Sequence, residues 1–167
     1  MNTETQPSKP NFGRRGELLV VIQFVLLFAF IFLPVWRPGV SAELLEATWL
    51  FRVTIGVAMG VIALVLGALG SHHIRDYLTP LPYPVDHSQL VQHGVYAIVR
   101  HPLYASQLFA AFGYVVYQLS LSHLLLLALG FLFFDYKAGK EEGWLSERHP
   151  EYVEYARRVR KFIPWVY

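Results

Sequence analysis

Apolar residues in this chain are gathered into long blocks, at 18–36, 50–70, 103–119 and 124–134, instead of recurring at the spacing of a soluble core. A bilayer selects that distribution, because about 20 residues at 1.5 Å each are needed to cross a hydrocarbon core of roughly 30 Å. The 167 residues are 54% apolar and 16% charged, more apolar surface than one soluble domain of this size can cover. The sequence therefore predicts an all-α, polytopic membrane protein with about four transmembrane helices. It reads as a single domain over 17–167 behind a flexible polar tail, 1–16.

There is no cysteine, which excludes disulfides, thiolate metal sites and cysteine nucleophiles. A formal charge of +2 is too small to suggest nucleic acid, and the basic residues lie beside apolar blocks, where anionic headgroups would be. Block 18–36 follows Arg14 and Arg15, and Val40-Ser41-Ala42 imitates a cleavage site. The apolar run nonetheless exceeds the usual signal-peptide core of about 7 to 15 residues, so it is read as a retained span.

Within 50–70, Gly56 and Gly60 form a GxxxG pair, which predicts close helix packing inside the monomer. Residues 71–100 are polar, and Pro80, Pro82 and Pro84 forbid a continuous helix there. Blocks 103–119 and 124–134 read as a tight hairpin broken at Ser120-Leu121-Ser122-His123. The second arm has 11 uninterrupted apolar residues. That is about 16 Å of helix, so it crosses only by continuing through Asp135 and Lys137, packed against protein. Residues 138–161 read as two short helices outside the membrane, broken at His149-Pro150, with Trp144, Leu145, Tyr152, Tyr155 and Val159 forming one packing face.

Charge sets the expected orientation. Twelve of the fourteen Lys and Arg residues fall in the tail, in 71–101 or after residue 136, which four crossings would place on one side. The positive-inside rule makes that side cytoplasmic, with both termini. Arg37, Glu43 and Glu46 fall on the other side, with Arg52 near the outer boundary and able to snorkel.

The chemistry concentrates at Gly94-Val95-Tyr96-Ala97-Ile98-Val99-Arg100-His101-Pro102-Leu103-Tyr104, where the polar segment meets the third block. Proline suits a first helical position, so a helix should begin near Pro102 and turn its N–H groups and positive dipole end toward the polar side. Arg100, His101 and Tyr104 would stand around that end. Physics alone leaves two readings open here, a ligand site and an interfacial anchor meeting headgroups. Adjacent Glu141 and Glu142 lie about 100° apart on a helix, so one of them is expected to enter a site. His72, His73, His87 and His93 lack the i, i+4 pairing of a zinc motif, so no metal is expected.

Arg100-His101-Pro102-x-Tyr104 after Gly94-Val95-Tyr96 resembles the signature of the isoprenylcysteine carboxyl methyltransferase and phospholipid methyltransferase superfamily. Leu78-Thr79-Pro80 with Pro82 and Pro84, Leu90-Val91, the pair Glu141-Glu142, and Tyr152, Tyr155, Arg158 and Pro164 follow that family's pattern in order, over roughly residue 50 to the C-terminus. The resemblance implies an S-adenosylmethionine-dependent integral membrane methyltransferase acting on a lipid-borne acceptor. Carried over by position, Tyr96, His101, Pro102, Tyr104, Glu141 and Glu142 would contact the cofactor. Arg100, Arg158 and Glu142 would serve catalysis, the arginines by orienting an anionic acceptor or the cofactor. The expected partners are membrane lipids and a lipophilic or lipidated substrate, with a monomeric protein.

Two rival readings follow. Membrane sterol-type reductases share a related Arg-His-Pro-x-Tyr helix, against which the acidic pair argues, and a non-enzymatic membrane scaffold would bind neither cofactor. No Gly-x-Gly-x-x-Gly follows a strand pattern, which excludes the soluble dinucleotide-binding architecture.

Overall fold

The structure is a computed structural model that describes residues 16–75 and 89–167. Arg14, Arg15, Leu78, Thr79, the prolines 80, 82 and 84 and His87 lie outside the described residues. The regular elements are α1 (Glu17–Phe32), α2 (Ala42–Ala47), α3 (Trp49–His73), a 3-10 turn (Gly94–Ala97), α4 (Pro102–Gln118), α5 (Leu121–Arg148) and α6 (Tyr152–Arg158). Among the described residues there is no strand, and the one bridge of β type pairs Val99 with Arg160.

Successive long helices run antiparallel. The C-terminal end of α1 meets the start of α5, where the Leu121 N–H donates to Trp36 O at 2.8 Å and the Ser122 hydroxyl donates to Pro34 O at 2.8 Å. Near its other end, Gln23 of α1 accepts a hydrogen bond from Lys137 of α5. Helices α3 and α4 are likewise opposed, since Arg52 donates to Tyr117 O at one end while Gly70 packs on Pro102 at the other. The turns around 33–48 and 118–122 therefore share one end, and 93–101 shares the opposite end with the C-terminal segment.

Helices α3 and α5 are long and apolar enough to cross a membrane, whereas α1 and α4 have 16 and 17 residues. No residue of α1 is buried, and Leu64, Leu125 and Leu132 are 71%, 61% and 65% exposed. Large apolar side chains facing outward from several helices form a surface suited to lipid.

The α3/α4 seam is set by missing side chains. A Cβ on Gly113 would lie 2.8 Å from Met59 Cβ, and one on Gly70 would lie 3.1 Å from both Pro102 and Leu103. Gly56 meets Tyr117 and the Gly113 carbonyl, and Gly67 meets Ser106. Gly60 faces open space, so the close approach runs through Gly56, Gly67 and Gly70 and not through the GxxxG pair as a unit.

Four further expectations change. Helix α1 stops at Phe32 because Pro34 holds Leu33 extended, with ψ 131°. The α4–α5 break is shorter than four residues: Leu119 takes a left-handed turn at φ 48°, Ser120 caps α5 by accepting from the His123 N–H, and helix resumes at Leu121. Helix α5 then runs unbroken to Arg148, so 138–148 is not a separate short helix; nothing in Asp135–Arg148 breaks a helix before His149-Pro150. Arg52 does not snorkel outward. It is 7% exposed and turns inward to donate to Leu45 O of α2 at 2.9 Å and to Tyr117 O, a carbonyl at the end of α4.

Candidate functional site

Pro102 occupies the first turn of α4, with His101 as N-cap at φ −124° and ψ 67°. Lacking an N–H and disfavouring a helical residue before it, proline starts this helix sharply and leaves His101 in a non-helical conformation at its mouth. Gly94, at φ 61°, opens the preceding 3-10 turn, a left-handed geometry that suits glycine and brings His73 Nε2 within 2.1 Å of where a Cβ would stand.

The C-terminal segment is sutured to this mouth. The Arg100 N–H donates to Arg160 O at 2.8 Å and the His101 N–H to Lys161 O at 3.1 Å. The Arg100 guanidinium then joins three elements. Its Nε and Nη2 both donate to Glu142 Oε1, at 3.0 and 2.8 Å, and its Nη1 donates to the carbonyls of Ala156, at 3.0 Å, and Val159. The Tyr155 hydroxyl donates to Tyr96 O at 2.6 Å, and Lys161 and Tyr167 both donate to Asp135 Oδ1, at 2.6 and 2.9 Å. Few apolar contacts could place α6 as specifically as these directional bonds do.

His101 is the centre of the cluster and is 6% exposed. Its Nε2 lies 2.9 Å from Glu142 Oε1, and its Nδ1 lies 3.6 Å from Glu141 Oε2, an ion-pair distance too long for a hydrogen bond. Burial lowers the imidazole pKa, but Glu141 and Glu142 more than offset it, leaving the pKa above the ordinary histidine value. The Tyr104 hydroxyl donates to Glu141 Oε2 at 3.0 Å. The Tyr104 ring lies within 10° of parallel to His101 at 5.4 Å and 21° from Phe134 at 5.1 Å, so three aromatic faces stand in a row.

The expectation that one acid would enter is corrected here, since both reach the cluster. Two acids 100° apart on α5 converge because the imidazole lies between them, each nitrogen toward a different carboxylate. Arg100, His101, Tyr104, Glu141 and Glu142 are thus brought together, with Pro102 beneath them and Tyr96 beside them, its hydroxyl 3.4 Å from Gly70 O. Arg158 is not in the group. Its side chain is 64% exposed on α6 and pairs with Glu154 at 3.8 Å.

Three features add to what the sequence suggests, one of them the packing of Lys137 against protein that it predicts. Tyr152 is 3% exposed, its hydroxyl has no hydrogen-bond partner among the described residues, and it feels the charges of Glu142, Arg100 and Glu141. Lys137 is 1% exposed, with its Nζ 5.2 Å from the centroid of the Tyr104 ring. Beyond Phe134, a cavity of about 430 Å³ opens between α1, α4 and α5. Leu26, Phe30, Leu108 and Leu127 line it, with Gln23 and Gln107 as polar members. The sequence signal for this arrangement was a lone glutamine in block 18–36 and a lysine one helical turn before Glu141. Among the described residues, no group of three or more His, Cys, Asp or Glu side chains is arranged to hold a metal ion.

The family model for phospholipid methyltransferase matches residues 51–152, from the start of α3 through the acidic pair to the first residue of α6. The chain is 30% identical over 140 residues to the cobalt-zinc-cadmium resistance protein CzcN of Cupriavidus metallidurans, covering 78% of this chain and 62% of that protein. It is 29% identical over 168 residues to a probable protein-S-isoprenylcysteine O-methyltransferase of Oryza sativa, covering 92% of this chain and 84% of that protein. With the nickel-cobalt-cadmium resistance protein NccN of Alcaligenes xylosoxydans xylosoxydans it shares 27% identity over 140 residues, 78% of this chain and 63% of that protein. The chain therefore spans less than two thirds of the length of either resistance protein.

Proposed function

The chain belongs to the phospholipid methyltransferase family, and from that premise we propose that it is an integral membrane methyltransferase using S-adenosylmethionine on a lipid-borne acceptor. The observation that carries the reading is the convergence of His101, Tyr104, Glu141 and Glu142 at the mouth of α4, where the Phe134 ring stacked on Tyr104 also lines the apolar cavity between α1, α4 and α5.

The residues present fit the cofactor. A sulfonium is stabilised by carboxylates and aromatic faces, and here two glutamates flank a row of rings. Ribose hydroxyls require acceptors, which Glu141 and Glu142 offer, and the buried Tyr152 hydroxyl has its proton uncommitted. When bound, S-adenosylmethionine supplies a methyl group on positively charged sulfur, transferable to an electron pair aligned behind the S–C bond. The protein's own contribution is alignment and exclusion of water. Tyr104, His101 and the two glutamates bind, and Tyr96 and Pro102 hold the mouth of α4 in place. Arg100 is a positioning residue, since four of its five N–H donors are engaged by Glu142, Ala156 and Val159. Arg158, exposed beside Arg157, suits contact with lipid headgroups.

The same reading includes four crossings by α1, α3, α4 and α5, with both termini and the site on the cytoplasmic face. The antiparallel succession of the helices and the gathering of basic residues at the site end support it. The decisive experiment is calorimetric titration of the purified protein with S-adenosylmethionine, followed by a labelled-methyl assay over membrane lipid extracts. Saturable binding and transfer of label to an extractable lipid are expected. Absence of both would remove the reading.

A further inference from the structure

Arg52 stands near the start of α3, at the opposite end of the helices from His101, and its side chain is buried. Among the described residues its guanidinium meets neutral groups: Nε donates to Thr48 Oγ1 at 3.2 Å, Nη2 to Leu45 O at 2.9 Å and Nη1 to Tyr117 O. Its Cζ also lies 5.8 Å from the centroid of the Tyr117 ring. Three of five N–H groups are thereby engaged, which leaves two donors and a full positive charge that pairs with no carboxylate among the described residues. Those bonds account for how the side chain is held, but a buried cation stays costly until a counter-charge reaches it.

Arg52 lines an open hollow of about 450 Å³ together with Leu45, Glu46 and Trp49. Glu46, Trp49 and Arg52 follow one another at three-residue steps through the junction of α2 and α3, which sets an acid, an indole and a guanidinium around one space. The Glu46 carboxylate is exposed and pairs with no cation among the described residues. The hollow thus offers both signs of charge, and no ion pair joins them. From there α3 leads away with Leu50, Phe51 and Val57 exposed, and an exposed Trp49 at the head of such a face suits the level of lipid headgroups.

We propose that this hollow is a binding site for a zwitterionic phospholipid in the leaflet opposite the His101 cluster. The phosphate takes the two uncommitted Arg52 N–H groups, the headgroup ammonium lies between Glu46 and the Trp49 ring, and the acyl chains run along α3. Charge complementarity commits the site to this occupant. A purely anionic headgroup would answer Arg52 but set its charge against Glu46, a purely cationic one would do the reverse, and a headgroup with both signs answers both residues. The lipid here is a bound ligand and not a methyl acceptor, since Arg52 and His101 belong to opposite ends of the α3/α4 pair. The proposal rests on the crossing of α3 and α4 put forward above and on nothing in the cofactor site.

The test uses the delipidated full chain in detergent, titrated with dioleoyl phosphatidylcholine, dioleoyl phosphatidylglycerol and dioleoylglycerol and read by native mass spectrometry. Phosphatidylcholine is chosen because its nitrogen is fully methylated, so its binding is not that of an acceptor. One equivalent should bind about fivefold or more tighter than phosphatidylglycerol, the worth of one exposed cation–π contact. Glu46→Gln should erase that preference while both phospholipids still outbind dioleoylglycerol, and Arg52→Gln should erase the second difference. Equal binding of all three lipids, or a preference for phosphatidylcholine that Glu46→Gln leaves unchanged, would overturn the proposal. Displacement of the lipid by soluble phosphocholine at equal affinity would make the ligand a soluble zwitterion and overturn it as well. If Arg52→Gln fails to fold, Glu46→Gln decides alone, because the Glu46 side chain is exposed and holds no ion pair among the described residues. Calorimetry with S-adenosylmethionine on the same samples separates the two ideas, since cofactor affinity should be the same in Glu46→Gln as in the unaltered chain. Headgroup selectivity without cofactor binding removes the methyltransferase reading and leaves the lipid site; cofactor binding without headgroup selectivity does the reverse.

Discussion

His101 and Glu142 lie 41 residues apart, yet the imidazole Nε2 and the carboxylate Oε1 stand 2.9 Å from one another at the mouth of α4. The same oxygen accepts two donors from Arg100, so one carboxylate fixes both the ring and the guanidinium. Removing any member leaves buried polar groups unpaired, which costs more than the bond itself contributes.

Truncation at this centre should therefore weaken cofactor binding strongly. His101→Ala is expected to reduce S-adenosylmethionine affinity by about 100-fold, and Tyr104→Phe, which removes the donor to Glu141, by about tenfold. Calorimetry on detergent-purified protein measures both. Wild-type affinity in Tyr104→Phe would show that the Tyr104–Glu141 bond has no part in the site.

The pH dependence has a definite sign. His101 has a raised pKa in the folded protein, so the imidazolium is favoured by folding. Its stabilising contribution is complete below the unfolded value of about 6.5 and is lost as pH rises through the folded value. The melting-temperature advantage of wild type over His101→Gln should be largest at about pH 5.5 and should shrink toward about pH 9. An advantage that grows with pH would mean the ring is held neutral.

Two arginines of the resemblance should behave differently. Arg100 is 10% exposed at its side chain and ties α5 to α6, so Arg100→Ala should destabilise by about 3 kcal/mol or more, and Arg100→Lys should fail to restore the lost contacts because an ammonium cannot reproduce the fork. Arg158 is exposed with a 3.8 Å pairing, and Arg158→Ala should change stability by no more than about 0.5 kcal/mol. Thermal unfolding in detergent compares them, and equal losses would show that the Arg100 network is not what holds α6.

Much of this was legible in the chain. Block 50–70 became Trp49–His73 and block 103–119 became Pro102–Gln118, because hydrophobic length and an initiating proline are local signals. The run from Asp135 to Arg148 was harder, since a helix that turns from apolar to polar midway reads as two elements when composition is the guide. Least legible was what depends on long-range pairing. Gln23 and Lys137 are 114 residues apart, and the carbonyls of Ala156 and Val159 that engage Arg100 carry no side-chain signature at all. A lone glutamine in an apolar span shows that a partner is needed without showing which.

The glycine seam offers a test independent of the site. At Gly113 an added methyl would lie 2.8 Å from Met59 Cβ and 3.2 Å from Gly56 O, neither of which is the free end of a flexible chain. Gly113→Ala should thus cost about 1–3 kcal/mol through overpacking. Gly60→Ala meets nothing within 4 Å and, in mid-helix, should be neutral or stabilising by up to about 1 kcal/mol. Reversal of that order would place the α3/α4 contact elsewhere.

Orientation can be examined directly because the chain has no native cysteine to mask a single introduced thiol. Glu43, in α2, and Glu147, near the end of α5, are both exposed and lie at opposite ends of the helices. With 28 residues at 1.5 Å each, α5 is about 42 Å long, enough to cross the hydrocarbon core and still carry Glu141 and Glu142 beyond it. A membrane-impermeant maleimide should label Glu43→Cys from the outside of intact cells, and should label Glu147→Cys only in inverted vesicles. Both positions reacting from one side would mean that α3, α4 and α5 together cross an even number of times. The acidic pair would then share a compartment with α2, and the cytoplasmic site with its lateral groove could not stand.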